Sequence, residues 1–168
     1  MTTDLYRSQH AQILLRLMQL DALIAQRNIV ANATHFRELI AELSGRLNTH
    51  CAAEDSLLYP QLWDQADMAG KALTKCFEEE MVRMMQVFRD YARRWLAADA
   101  IETRPTEFRM ETRDVTTSLI ERIRLENEQL LPLADRLFER KRPCERRGSL
   151  GARARLSSRP SLMFASGA

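Results

Sequence analysis

The chain has 168 residues and a mass of 19.5 kDa, the length of one ordinary domain with a short extension. Hydrophobic residues make up 45% of it and charged residues 29%, and its net charge of +2 gives no case for a nucleic-acid-binding protein. No apolar run approaches the ~18–20 residues of a membrane span, and the first residues lack the basic and apolar regions of a signal peptide, so we expect no membrane partner.

Cysteine and glycine usage narrows the class further. The three cysteines, Cys51, Cys76 and Cys144, are an odd number without close spacing, which suits a reducing compartment better than a disulfide framework. Only two glycines occur in the first 147 residues, too few for most strand-and-turn or dinucleotide-binding architectures. The composition therefore predicts a cytoplasmic protein outside those fold classes.

Apolar residues recur at steps of three and four through the first 140 residues, which predicts an all-α fold. The predicted helices span residues 4–27, 33–63, 71–98 and 106–140. Long helices with short connections favour an up-down-up-down four-helix bundle over residues 1–140. Asp4 and Thr106 are the expected N-caps of the first and last helices.

After residue 140 the helical pattern stops. Residues 141–168 contain three of the five glycines, two prolines, seven basic side chains and one acid. This composition predicts a disordered basic tail. Because no aromatic residues are interleaved with the basic ones, we expect at most a weak contact with nucleic acid.

An internal repeat links the second and fourth predicted helices. Residues 50–60 and 122–132 both place a glutamate six residues before a proline, at Glu54 and Glu126. Each proline, Pro60 and Pro132, is expected to kink or tighten its helix just beyond the glutamate.

Six polar side chains occupy positions of the inward-facing stripes where apolar residues belong. They are His10, His50, Glu54, Glu80, Arg122 and Glu126. The remaining stripe positions are mostly apolar and include Leu57 and Val87. Unpaired charges cost several kcal/mol each when buried, so we expect these six groups to satisfy one another or to bind something.

Two interpretations of the polar residues remain open at this point. In the first, His50 and Glu54, four residues apart on one helix face, bind a metal together with the other groups. In the second, the six form a buried salt-bridge network, in which Arg122 neutralises Glu80 and Glu126 while Glu54 satisfies the histidines. Spacing alone does not choose between them.

The run His-x-x-x-Glu-Asp-x-x-Leu-Tyr-Pro at residues 50–60 resembles the signature of hemerythrin-like domains. The early histidine of the first helix and the Glu-Asn-Glu-x-Leu-Leu-Pro run from residue 126 resemble the family as well. The resemblance implies a four-helix bundle that holds a non-haem di-iron centre and handles oxygen, nitric oxide, iron storage or redox sensing.

The chain departs from that family at two ligand positions. Arg122 stands where the family's fourth helix has histidine, and Glu80 aligns with the histidine of the third. The metal ligands implied by the resemblance are therefore His10, His50, Glu54 and Glu126, with Glu80 as a carboxylate replacement. Arginine keeps its positive charge and cannot bind a metal, so the sequence favours one iron over two.

The functional prediction is a non-haem iron protein that binds a metal ion and a diatomic ligand. The alternative, from another class, is a metal-free helical module that regulates a protein partner, which the sequence does not name. An enzyme is less favoured, because no nucleophile–base pair is apparent and chemistry would have to come from iron with open coordination positions.

Overall fold

Helices account for every regular element in the computed structural model, which describes residues 3–26 and 28–140. They are α1 (Asp4–Ile24), α2 (Ala33–Ala53), α3 (Tyr59–Gln65), α4 (Met68–Trp95), α5 (Ala100–Thr103), α6 (Pro105–Leu125) and α7 (Leu131–Arg140). A 3₁₀ turn, Val30–Asn32, precedes α2. The all-helical prediction is confirmed for these residues, and none of their helices combines the length and apolarity needed to cross a membrane.

Two π-helical turns make longer segments out of the shorter helices. Glu54–Leu58 joins α2 to α3, and Glu126–Leu130 joins α6 to α7. The result is four long helical segments, in which α1 packs against α2 and α6 while α4 packs against the same two helices. The described residues thus form a helical bundle. The predicted tail at residues 141–168 lies outside them.

Both π turns are wide because a proline follows. The Tyr59 N–H bonds to the Glu54 carbonyl, and the Leu131 N–H bonds to the Glu126 carbonyl, five residues back instead of four. The next residue in each case is proline, which has no N–H and clashes with the carbonyl four residues before it. Of the two expected effects, a kinked or a tightened helix, the tightened one is wrong, because both turns are wider than an α-helix.

The extra residue in the first π turn changes which leucine enters the core. Leu58 is fully buried, whereas Leu57, the predicted stripe residue, is 43% exposed. Each residue of a π turn advances by a smaller angle around the helix axis, so the step of four from Glu54 to Leu58, and not the step of three to Leu57, returns to the buried face.

In the middle of α4, over residues 80–88, the buried face lies one position away from the predicted stripe. Met81, Met85 and Phe88 are buried, while Val87 is 59% exposed and the side chain of Glu80 is 44% exposed. The predicted positions and the buried positions both follow helical spacing. The packing of α4 against α2 and α6 determines which of them enters the core. Glu80 therefore lies at the edge of the bundle, which corrects its prediction as a core residue.

The helix starts also differ from the predicted caps. Thr3, not Asp4, precedes α1, and its hydroxyl donates to Asp135 of α7 without capping the helix. Pro105, not Thr106, begins the fourth long segment. At α4, Asp67 is the N-cap, and its side chain accepts a hydrogen bond of 2.8 Å from the Gly70 N–H.

Two clusters of buried apolar side chains fill the bundle, with polar side chains between them along the chain. On α1, His10 lies between Tyr6 of the smaller cluster and Ile13 of the larger one. On the second segment, His50 and Glu54 lie between Leu47 of the larger cluster and Leu58 of the smaller one. Both segments therefore bring their polar residues to a layer that apolar packing flanks on two sides.

Candidate metal centre

Four buried side chains from three helical segments converge in this polar layer. His10 lies on α1, His50 in the last turn of α2, and Glu54 and Glu126 each begin a π turn. One nitrogen or oxygen atom of each lies within 4.8 Å of the corresponding atom of every other. We call these four residues the His/Glu cluster.

The spacing of the facing atoms matches a cation site. The Nε2 atoms of His10 and His50 are 3.3 Å apart, and Glu126 Oε2 lies 3.0 Å from the first and 3.7 Å from the second. Glu54 Oε1 lies 3.7 Å from His50 Nε2. Ligand atoms about 2.0–2.2 Å from a tetrahedral ion are roughly 3.3–3.6 Å from one another, so the cluster is close to that size.

Two side-chain amides orient the imidazoles. His10 Nδ1 lies 3.0 Å from the amide oxygen of Asn127, and His50 Nδ1 lies 3.2 Å from that of Gln9. Because each Nδ1 donates to an amide oxygen, the neutral ring keeps its lone pair on Nε2. Two lone pairs therefore face each other, which is the tautomer that metal coordination by Nε2 requires.

The carboxylates are also held on one side and free on the other. Glu54 Oε2 accepts a hydrogen bond of 3.2 Å from the Tyr59 hydroxyl, and Glu126 Oε1 accepts one from Arg122 Nε. The opposite oxygens, Glu54 Oε1 and Glu126 Oε2, are buried and make no hydrogen bond to any of the residues that the structure describes. Buried polar atoms are nearly always paired, and these two point at the imidazole nitrogens, so the residues present fit a bound cation.

The two carboxyl groups do not ionise alike. Burial raises the pKa of Glu54 well above its ordinary value of 4.5, and the negative charge of Glu126 raises it further. Burial acts on Glu126 in the same direction, but the positive charge of the Arg122 guanidinium opposes it, and the pKa of Glu126 is lowered. Glu54 therefore resists ionisation until a positive charge offsets its own.

Arg122 lies beside the cluster and joins it to Glu80. Its Nη1 is 3.1 Å from Glu80 Oε2, and its Nη2 donates to the Phe77 carbonyl at 2.8 Å. The guanidinium carbon also lies 4.5 Å from the centre of the Phe77 ring. Of the six predicted polar residues, four form the His/Glu cluster, Arg122 touches it through Glu126, and Glu80 reaches it only through Arg122.

Part of the predicted salt-bridge network is also present. Arg122 pairs with both Glu80 and Glu126, as that alternative expects. Glu54 Oε1 lies 3.7 Å from His50 Nε2, within ion-pair distance, whereas His10 Nε2 lies 3.0 Å from Glu126 Oε2. The network therefore gives the guanidinium its partners, but the two cluster oxygens make no hydrogen bond within the described residues.

The sequence analysis missed Gln9 and Asn127. Each is a neighbour of a cluster residue in the chain, since Gln9 precedes His10 and Asn127 follows Glu126. Their contacts, however, cross between helices, because the amide oxygen of Gln9 contacts His50 and that of Asn127 contacts His10. Their positions next to cluster residues in the sequence could have identified the two amides as candidates for contacting the imidazoles, but not which imidazole each one contacts.

Comparison with known families agrees with this geometry. The family model of the hemerythrin HHE cation binding domain matches residues 1–134. The chain belongs to this hemerythrin family. No curated protein and no solved structure matches it. The matched hemerythrin domain contains the whole His/Glu cluster, which is compatible with metal binding.

Proposed function

We propose that this hemerythrin-family chain binds one non-haem iron ion through the His/Glu cluster and serves in oxygen, nitric oxide or redox sensing or in iron handling. The observation that carries the proposal is the pair of buried oxygens without hydrogen bonds, Glu54 Oε1 and Glu126 Oε2, which face two imidazole nitrogens. Imidazole and carboxylate ligands together suit divalent first-row metals, iron among them.

A single ion suits the charges better than two. With neutral imidazoles, Glu54, Glu126 and Glu80 carry three negative charges against one positive charge on Arg122, so one divalent ion balances the site. Arg122 also donates a hydrogen bond to Glu126 Oε1, so Oε2 is the oxygen of this carboxylate that would be free to hold a cation. A second ion would leave an excess of buried positive charge.

Iron, when bound, supplies redox chemistry and an open coordination position for a diatomic ligand. The residues around the cluster prepare the site for it. Gln9 and Asn127 hold the two imidazoles with Nε2 facing inward, and Tyr59 orients Glu54. The apolar clusters on either side restrict water, which strengthens every electrostatic interaction inside.

We also propose a location, a helix order and binding partners for the protein. We place the protein in the cytoplasm, because the two cysteines in the described residues, Cys51 and Cys76, are unpaired. The four long helical segments and their short connections support an up-down-up-down order. The proposed partners are the metal ion and a diatomic ligand.

Metal analysis tests the proposal directly. Protein purified without added metal, then loaded anaerobically with ferrous iron, should hold close to one equivalent. Removing the ion should lower the melting temperature, because a ligand at 100 times its Kd stabilises the native state by about 2.7 kcal/mol. His50→Ala should abolish loading, whereas His35→Ala, which removes a 57% exposed imidazole from the same helix, should not.

Absence of metal would contradict the proposal. If the loaded protein holds none and chelation leaves its melting temperature unchanged, the cluster is not a metal site. The alternative, a metal-free helical interaction module, would then be favoured, because the Arg122 ion pairs already supply part of a buried network.

A further inference from the structure

Glu126 uses its two oxygens on opposite sides. Oε2 faces the imidazole nitrogens of the His/Glu cluster, and Oε1 accepts a hydrogen bond from Arg122 Nε. A cation in the cluster and the guanidinium would therefore share one carboxylate. Arg122 is thus the nearest fixed positive charge to any ion that the cluster holds.

Arg122 is an immobile charge, because each of its three nitrogens has a partner. Besides Glu126, the guanidinium contacts Glu80 through Nη1 and the Phe77 carbonyl through Nη2, and it stacks on the Phe77 ring. Its side chain is only 3% exposed. An arginine does not lose its proton at any working pH, so this charge is permanent and poorly screened.

The charge of the surroundings favours one valence of ion. With neutral imidazoles, the cluster carboxylates, Glu80 and Arg122 sum to two negative charges, which a divalent ion neutralises. A trivalent ion would leave one positive charge uncompensated in a buried layer, where charge is costly. Glu80 is 44% exposed, so water screens its negative charge more than it screens the buried guanidinium.

We propose that the buried positive charge of Arg122 makes the His/Glu cluster selective for divalent over trivalent ions. This inference rests on the proposed metal binding and deepens it, because it assigns the valence of the ion to a residue that does not bind it. For iron, this charge holds the ion in the ferrous state. Removing the Arg122 charge shifts the preference toward trivalent ions, and removing the Glu80 charge shifts it the other way.

Two redox-inert ions test the selectivity without any activity assay. Zn²⁺ represents the divalent ion and Ga³⁺ the trivalent one, each titrated in competition with nitrilotriacetate. Arg122→Gln should raise the ratio of Ga³⁺ to Zn²⁺ affinity at least about tenfold, because it removes a unit charge close to the ion. Arg122→Lys, which keeps the charge, should leave the ratio within about threefold of the parent.

A nearby arginine provides the matched control. Arg124 lies two residues further along the same helix, with a 49% exposed guanidinium paired with Glu121 and Glu128. Arg124→Gln removes the same charge and should leave the ratio unchanged. In iron-loaded protein, Arg122→Gln should lower the midpoint potential by at least about 59 mV, which is a tenfold change for one electron.

The failures of the inference and of metal binding are distinguishable. If the parent binds Zn²⁺ but Arg122→Gln leaves the ratio unchanged, the valence assignment is overturned while metal binding stands. If the parent binds neither ion, both fall. Should Arg122→Gln fail to fold, Glu80→Gln decides the matter, because Glu80 lies at the bundle edge: the ratio should fall, and an unchanged or higher ratio overturns the inference.

Discussion

The Nε2 atoms of His10 and His50 lie 3.3 Å apart, and their rings meet edge to face with centroids 4.7 Å apart. In neutral imidazoles neither Nε2 carries a proton when both Nδ1 atoms donate to amide oxygens. The facing lone pairs therefore repel unless a cation lies between them. The amides of Gln9 and Asn127 thus hold the imidazoles in the arrangement that a metal ion needs.

Replacing an orienting amide should weaken metal binding without unfolding the protein. In Asn127→Leu, His10 loses the acceptor that holds its proton on Nδ1, so we expect the Zn²⁺ affinity to fall about 10–100-fold. A chelator competition titration measures it. Gln12→Leu, which replaces an amide on α1 whose hydrogen bonds in the described part of the chain are to Ser8 and Arg46, is the control. Equal Zn²⁺ affinities in the two variants would show that Asn127 does not orient His10 for metal binding.

Loss of the buried guanidinium should be costly for the metal-free protein. Arg122→Leu leaves Glu126 as an unpaired buried carboxylate, so we expect the free energy of unfolding to drop by about 3–5 kcal/mol. Urea denaturation in the presence of a chelator measures the change. Arg124→Leu breaks only exposed ion pairs and should cost at most about 1 kcal/mol. Similar losses in both would mean that Arg122 is not needed to compensate Glu126.

The register after the first π turn predicts different losses of stability for two adjacent leucines. Leu58 is fully buried, so Leu58→Ala should reduce the free energy of unfolding by about 2–5 kcal/mol. Leu57 is 43% exposed, and Leu57→Ala should change it by less than about 1 kcal/mol. Urea denaturation of the two variants side by side checks the register. A larger loss for Leu57→Ala than for Leu58→Ala would contradict the buried position of Leu58 after the π turn.

Glu42 links α2 to α1 in a pH-dependent way. Hydrogen bonds from Arg16 and then from Arg46 lower the pKa of Glu42 from 4.5 to about 2. A carboxyl whose folded pKa is depressed stabilises the protein above its unfolded pKa and loses that effect as the pH falls toward its folded value. Glu42→Gln should therefore lower the melting temperature at pH 7, and the difference should shrink steadily between pH 5 and pH 2.

A neighbouring carboxylate controls the Glu42 experiment. Glu38 lies four residues earlier on the same helix, with a 69% exposed side chain that contacts only the exposed His35 in the described residues. Glu38→Gln should lower the melting temperature at pH 7 less than Glu42→Gln does, because no arginine pairs with it. A pH-independent difference for Glu42→Gln would contradict the role of its ionisation.

The sequence by itself determined the helical class and the residues of the polar layer. Apolar steps of three and four require helices that bury one face, and polar residues at those steps must be paired or bound. For the same reason the histidines and glutamates of the cluster stood out at residues 10, 50, 54 and 126. The repeated glutamate and proline also marked the places where both π turns occur.

Only the tertiary structure decided how these residues meet. Whether Glu80 or Met81 enters the core depends on how α4 packs against two other helices, since both positions suit helical spacing. The partners of Gln9 and Asn127 lie on other helices, and no local pattern encodes a contact across the bundle. The lack of hydrogen bonds at Glu54 Oε1 and Glu126 Oε2, within the described residues, likewise follows only from the positions of all neighbouring atoms. Hydrogen bonding depends on distance and angle in three dimensions, which the sequence does not give.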